Sequence, residues 1–523
     1  MSEHYHWAYS AAKKVIEMHP NKKLYSCAAG ITPSGTIHIG NFREMITVEL
    51  VARALKKLGK NTRYIYSWDD YDVFRKVPAN MPKQELLKKY MRKPIVDVPD
   101  TFDCKHKSFA EHNMKKVEEY LPLVGIRPEF IRQSIKYRKC TYAKEIDHCL
   151  QKTHVIKRIL NKYRKEPLAN DWLPVSIFCD KCGTDEIKKI EYKGKFMVYY
   201  ECKCGHKEEF DIRKNGIIKL NWRVDWPMRW HYEDLSLEPA GKDHFAAGGS
   251  RDSGTELQKA LWNDIPPYGF MYEWIAIKGG GEFSSSKGLV VTLKDVLDIY
   301  EPEIVRWLFA GTRPGTTFNI SFDMDVNKIY EDFDRCERIY FGKEKVSEKE
   351  AKKQKEIYEL SQPDDNPQNK LPIQPYFRNI GYMLQAFVFD EKKTYNYFKK
   401  DVKTKYDEKR LKIRIRCAKN WIEKYAPEEF KFVVKENFNK EYYSKLNEDE
   451  KKAVQKLGKT LDSFKGTDDD LATQIFEIPR KIGIKPQNFF KIIYNMIIGK
   501  DRGPKLAGFI LDVGKDKIRK LLK

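Results

Sequence analysis

TPSGTIHIGN (residues 32–41) joins a short apolar run, LYSCAAGI (24–31), to a stretch where Met45, Val48, Ala52, Leu55 and Leu58 recur at helical spacing. A strand that ends in such a turn and opens a helix is where a parallel sheet binds phosphate, because free backbone N–H groups and the helix dipole converge there. Gly35 and Gly40 remove side chains, so that backbone or nucleotide can approach closely. His38 adds an imidazole able to donate to a phosphate oxygen. Gly59 closes the helical stretch, RYIYSW (63–68) supplies a second strand, and the carboxylate-rich DDYD follows at once. Strand, helix, strand in this order is a βαβ unit, the start of a Rossmann-type parallel sheet in an α/β protein.

Outward from this unit, the pattern breaks from about 95 to 215, where Cys and His cluster and YKGKFMVYYECKCGH (192–206) reads as a small β ribbon. The sheet is expected to resume at GIIKLNW (216–222) and FMYEWIAIKGG (270–280). The second of these leads into GGGEFSSSKG (279–288), with three glycines, the hydroxyls of Ser284, Ser285 and Ser286, and the charge of Lys287, which suits a leaving pyrophosphate. Either loop alone is an ordinary flexible turn; both together, each at the end of an expected strand, point to a nucleotide.

Beyond Thr292 the pattern is helical, and Thr292 with Asp295 forms a capping-box signature. KEKVSEKEAKKQKE (343–356) reads as an exposed helix and SQPDDNPQNKLPIQP (361–375) as a linker. The expected organisation is a catalytic domain in two halves (1–95 and 215–295), a metal-binding insertion (96–214), connecting helices (296–360) and an all-α C-terminal domain (361–523).

Charge adds a partner class. The 98 Lys and Arg against 75 Asp and Glu give +23 and a pI near 9.3, a field that attracts a polyanion. Hydrophobic residues at 41% suffice for several cores. No run approaches the roughly 18 apolar residues of a membrane span, and MSEHYHWAYSAAKKVIEMHP (1–20) lacks a continuous apolar signal region. Ten sparse cysteines, four of them within 179–204, suit a reducing cytoplasm better than a disulfide framework.

Cys179 and Cys182 form CxxC, and Cys202 and Cys204 form CxC, two close pairs that match four-ligand structural zinc. Gly183 and Gly205 follow the pairs, where turns of positive φ are expected, and His206 is an alternative fourth ligand. DTFDCKHKSFAEH offers a second set, Asp100, Cys104, His106 and His112, too widely spaced for one helical turn, so a loop must gather it.

HIGN resembles the HIGH signature and SSSKG the KMSKS signature of class I aminoacyl-tRNA synthetases. Together TPSGTIHIGNFRE, SWDDYDVFRKVP, DWPMRW, EPAGKDHFAAGGSRD and SSSKG resemble the class I lysyl-tRNA synthetase family, through most of residues 20–340. The resemblance implies ATP-dependent formation of lysyl-adenylate, with Mg²⁺ accompanying ATP, and transfer of lysine to tRNA(Lys). It also implies that the C-terminal helices meet the anticodon and that the Asp–Cys–His–His set holds a second structural zinc. Position by position it implies catalytic His38, Asn41 and Lys287. The ATP-binding set comprises Thr32, Pro33, Ser34, Gly35, His38, Gly40, Asn41, Ser284, Ser285, Ser286 and Lys287. Gly30, Thr32, Trp222, His244 and Tyr272 match the amino-acid pocket.

One departure stands out: Glu282 and Phe283 occupy the place of the family's Lys-Met, and a carboxylate there repels phosphate. Three questions stay open at this level. Glu44, Asp69 and Asp70 all qualify as the partner of the ε-ammonium, with Trp222, Tyr272 and Trp274 offering aromatic faces. Arg251 suits a glutamate carboxylate equally well, so another amino acid, Arg or Glu, is a rival substrate, and a non-catalytic tRNA-binding paralogue is a second rival. Tyr376, Phe377, Trp421 and Phe432 are either base-stacking groups or core.

Overall fold

The computed structural model describes residues 4–102, 104–278 and 290–523, with 281–282 as backbone alone. YSCAAGI combines small and apolar residues that tolerate cover on both faces, and strand β1 (Tyr25–Ile31) lies at the centre of the sheet. It follows helix α1 (Trp7–Met18) and leads into helix α2 (Ile39–Lys57). Strand β2 (Thr62–Trp68) returns parallel to β1 in register from Tyr25↔Thr62 to Ile31↔Trp68. This is the expected βαβ unit. Helix α2 starts at Ile39, six residues before Met45, the first apolar position of the periodic run, because HIGN makes its own cap. His38 Nδ1 accepts from the Gly40 N–H at 3.1 Å, and Asn41 Oδ1 accepts from the His38 N–H at 3.1 Å.

Strand β3 (Glu129–Arg132) extends the parallel sheet beyond β2, although it falls within the span read as an insertion. The fourth strand is Leu235–Leu237, parallel to β1 on its other side. Three residues after a Trp-rich helix carry too little alternation to be legible in sequence. GIIKLNW does not rejoin this sheet: Ile218–Leu220 pairs antiparallel with Val175–Ile177. FMYEWIAIKGG divides in two. Met271–Tyr272 pairs parallel with Ala240–Gly241, and Ile275–Ile277 pairs parallel with Phe318–Ile320.

The ribbon consists of Ile187–Gly194, Met197–Cys202 and Lys207–Asp211, antiparallel throughout. Its first hairpin turns through Lys195 and Phe196, both at positive φ (50° and 70°), the handedness a two-residue hairpin requires. Val198, Tyr200 and Cys202 alternate inward to one core with Ile177 and Phe178.

The chain divides into two compact units. One holds Met1–Val296, Pro302–Ile320 and Ile339–Pro367; the other holds Leu297–Glu301, Ser321–Arg338 and Gln368–Lys523. Described elements of the second unit are all helical, and Thr404, Asn447 and Thr467 start helices with reciprocal capping boxes. No helix or strand lies between Ser361 and Phe377, the span read as a linker. Within this unit Arg410 and Arg414 meet Glu301, Asp334 and Glu337 in a buried network, with Arg410 Nη1 to Glu337 Oε2 at 2.6 Å and Arg414 Nη2 to Asp334 Oδ1 at 2.8 Å. Phe377, Trp421 and Phe432 are buried here, as core. Tyr376 is 59% exposed. Among the described residues no helix is long and apolar enough to cross a membrane.

Candidate active site and metal centres

At the C-terminal ends of β1 and β2 a cavity of about 780 Å³ opens, as expected at the carboxyl edge of a parallel sheet. Gly30, Thr32, Ser34, Gly40, Asn41, Trp222, His244 and Tyr272, drawn from four separate stretches of sequence, all line it. Gly30 has a plain steric reason: a Cβ there would stand 2.8 Å from the Ser67 carbonyl of the neighbouring strand. Pro33 and Gly35 lie in the same turn without lining the cavity, and Gly35 faces the Pro78 ring. His38 lines an adjoining cavity of about 310 Å³ with Thr36, Phe42 and Thr292. Burial lowers the His38 pKa, so the ring is neutral at pH 7. Because Nδ1 accepts from Gly40, the proton sits on Nε2, which makes that atom a donor. Ser284, Ser285, Ser286, Lys287 and Phe283 lie outside the described residues, as does the side chain of Glu282.

The four carboxylates near the cavity differ sharply in their partners. Asp70 accepts from the backbone N–H and hydroxyl of Ser134 at 2.8 and 2.6 Å, and is committed to starting the next helix. Asp69 is bound by the Arg229 guanidinium at 2.6 Å. Asp72 is bound by Lys219 Nζ at 2.5 Å and by the Thr32 hydroxyl at 2.7 Å. Glu44, like Asp70, has only neutral partners among its hydrogen bonds, the Gly30 N–H at 2.7 Å and the Tyr272 hydroxyl at 3.0 Å, but unlike Asp70 it lines the cavity. Burial pushes its pKa to about 8 against the pull of those two donors.

Aromatic faces complete the wall. Trp222 is 40% exposed, stacks on Trp226 at 5.3 Å and approaches His244 edge-on at 6.2 Å. His244 Nδ1 is fixed by Ser250 Oγ at 2.6 Å. Arg251, read as an alternative partner for a bound carboxylate, is engaged elsewhere: its guanidinium lies 4.6 Å over Trp230 and donates to the Pro267 carbonyl. It is not among the residues lining the cavity. Sequence reading passed over Asp72 and Lys219. The available signal was a lone lysine inside the apolar strand GIIKL, a position that needs a partner for its charge.

The two metal-ligand sets both converge. Cys179, Cys182, Cys202 and Cys204 bring their Sγ atoms within 4.8 Å of one another, with 3.8 Å between Cys179 and Cys204 and 3.6 Å between Cys182 and Cys202. Tetrahedral zinc with bonds of about 2.3 Å requires sulfur separations of about 3.8 Å. Gly183 and Gly205 turn at φ 73° and 90°, as the spacing led one to expect. His206 pairs with Glu208 at 3.2 Å and is outside the ligand set. Asp100, Cys104, His106 and His112 also converge, with Cys104 Sγ 2.8 Å from His106 Nδ1 and 3.2 Å from His112 Nδ1. The turn before the helix Phe109–Glu118 gathers them.

The sequence model of the family "tRNA synthetases class I (K)" matches residues 5–364. The chain is 49% identical over 523 residues to the lysine--tRNA ligase of Borrelia garinii subsp. bavariensis, covering 99% of this chain and 98% of that protein. It is 41% identical to the lysine--tRNA ligase of Treponema pallidum, over 99% of this chain and 98% of that protein. To the lysine--tRNA ligase of Pyrococcus horikoshii it is 38% identical, over 99% of both chains.

Proposed function

The chain belongs to the class I (K) tRNA synthetases, and we propose that it activates L-lysine with ATP and transfers it to tRNA(Lys). The observation that carries the choice of lysine is Glu44. Unlike the cavity carboxylates Asp69 and Asp72, it has no cation among its hydrogen-bond partners, and it lies beside the Tyr272 hydroxyl within a wall that includes Trp222. An ε-ammonium there gains an opposite charge, a hydroxyl acceptor and an aromatic face together. A glutamate side chain would find no opposite charge at Glu44, and Arg251 is packed against Trp230 outside the cavity lining.

In this reading the lysine carboxylate attacks the α-phosphate of ATP, the P–O bond to pyrophosphate breaks, and lysyl-adenylate forms. His38, neutral and protonated on Nε2, donates to phosphate oxygen at the start of α2, where the helix dipole favours negative charge. Asn41 fixes that ring by capping its backbone. Thr32, Ser34, Gly35 and Gly40 shape the nucleotide side of the turn, and Pro33 holds its backbone. Ser284, Ser285, Ser286 and Lys287 supply hydroxyls and charge to the departing pyrophosphate, with Mg²⁺ accompanying the nucleotide. The acyl group then passes to the terminal ribose hydroxyl of the tRNA. Positioning and charge stabilisation suffice, with no covalent enzyme intermediate.

Zinc in the four-cysteine set would tie the ribbon to the strand Val175–Ile177, and a second zinc would staple the turn at Asp100–His112. Both roles are structural, since four protein ligands leave no open position. The helical span 368–523 carries 36 Lys and Arg against 21 Asp and Glu, which suits contact with the distal part of a tRNA. The direct test is ATP–pyrophosphate exchange with each of the twenty amino acids, with and without total tRNA. Exchange with lysine alone is the expected result. Exchange with another amino acid overturns the specificity, and no exchange in either arm overturns the activity.

A further inference from the structure

Free lysine carries three charges, and the reading above gives a protein partner only to the ε-ammonium. The other two, the α-ammonium and α-carboxylate, form a zwitterion, and its natural complement is a neighbouring cation and anion. The same cavity holds such a pair. We propose that Lys219 and Asp72 read the α-zwitterion of the substrate, Lys219 meeting the carboxylate and Asp72 the ammonium. This rests on the lysine reading and adds two specificity-determining residues to it.

Four observations carry the inference. Lys219 and Asp72 both line the cavity that contains Glu44, so all three charges face one space. Their own contact, Nζ to Oδ1 at 2.5 Å, engages one of three ammonium N–H groups. Asp72 accepts from Thr32 on its other oxygen at 2.7 Å, which leaves acceptor capacity on a carboxylate with about four lone-pair sites. The Asp72 side chain is 34% exposed, whereas that of Lys219 is 9% exposed, so a ligand can reach the pair without opening the protein.

Energetics point the same way. Lys219 stands in Ile218–Leu220, whose other members are fully buried and apolar. An ion pair at such a place is no better for stability than two apolar side chains of similar volume, because desolvation offsets the attraction. Its use is therefore to be sought in the cavity it faces. Pair and zwitterion are each neutral overall, so docking one on the other buries no net charge. Lys219 pairs with Asp72 and Arg229 with Asp69, whereas Glu44 has no cation among its hydrogen-bond partners. The cavity thereby offers an isolated negative site and a separate dipolar one, which fixes the direction in which lysine enters.

The test measures calorimetric binding of four ligands to the full chain: L-lysine, lysinamide without the carboxylate, 6-aminohexanoate without the α-ammonium, and pentylamine without either. In the unaltered protein lysinamide and 6-aminohexanoate should each bind about 10- to 100-fold more weakly than lysine, the worth of one charged hydrogen bond. Lys219→Gln should abolish the preference for lysine over lysinamide, and Asp72→Asn the preference over 6-aminohexanoate. Pentylamine affinity should stay within about twofold in both variants. Equal binding of lysine and pentylamine by the unaltered protein overturns this inference while leaving the lysine reading intact. So does a variant that weakens all four ligands equally, which marks a purely structural role. No binding of any of the four overturns the lysine reading itself.

Discussion

If Glu44 receives the ε-ammonium, lysine binding must expel a proton from the protein. The empty site holds the Glu44 carboxyl at a pKa of about 8, because burial outweighs the Gly30 and Tyr272 donors. At pH 7 it is then about 90% protonated, and an arriving cation, itself charged up to a reference pKa of about 10.4, drives that proton off. The expected release is therefore about 0.9 proton per lysine at pH 7 and about 0.5 at pH 8. The dissociation constant should fall about tenfold from pH 6 to 7, about fivefold from 7 to 8, and flatten above that. Calorimetric titration in two buffers of different ionisation enthalpy counts the protons directly. Glu44→Gln keeps an acceptor for Gly30 N–H but no charge, so it should show neither proton release nor the pH slope. It should also bind lysine about 30- to 1000-fold more weakly at pH 8, for a loss of about 2–4 kcal/mol.

Stability supplies an independent check on the same group. The folded state keeps the Glu44 proton to about pH 8, whereas the unfolded chain releases it near 4.5. Folded protein thus binds more protons between those values, and stability falls as pH rises through that window. Glu44→Gln should remove this part of the decline. Zero proton release at pH 7, or a flat dissociation constant from pH 6 to 8, would refute the placement of the ammonium at Glu44.

Other predictions concern separate parts of the molecule. Lys287→Ala should lower the rate of lysine activation by about 2–4 kcal/mol in pyrophosphate exchange, and an unchanged rate removes its assigned role. Purified protein should contain zinc at the four-cysteine set by elemental analysis. Cys202→Ser should lose that equivalent and loosen hydrogen-exchange protection over Ile187–Asp211 before other regions. In the helical unit, Arg414→Ala leaves Glu301 and Asp334 short of a partner and should cost about 3–5 kcal/mol in chemical denaturation, whereas Arg414→Met should cost less.

The sequence by itself determined the βαβ start, the glycine-containing turn that opens its helix, the four-cysteine set and the helical C-terminal span. Each is written in local terms, as a period of apolar residues, a glycine at a turn, or a spacing of ligands over a few residues. It also named Gly30, Thr32, Trp222, His244 and Tyr272 through resemblance, and tertiary structure gathers those five around one cavity. What the local pattern could not reveal is pairing between distant segments. Leu235–Leu237 joins the central sheet and Ile218–Leu220 does not, because strand partners are chosen by packing and not by the three residues themselves. The same holds for charge. Glu44, Asp69, Asp70 and Asp72 are equivalent carboxylates in sequence, and only folding gives Asp69 to Arg229, Asp70 to Ser134 and Asp72 to Lys219. A site's electrostatics is a sum over neighbours brought together from far along the chain, so which carboxylate remains for a cation is decided in three dimensions.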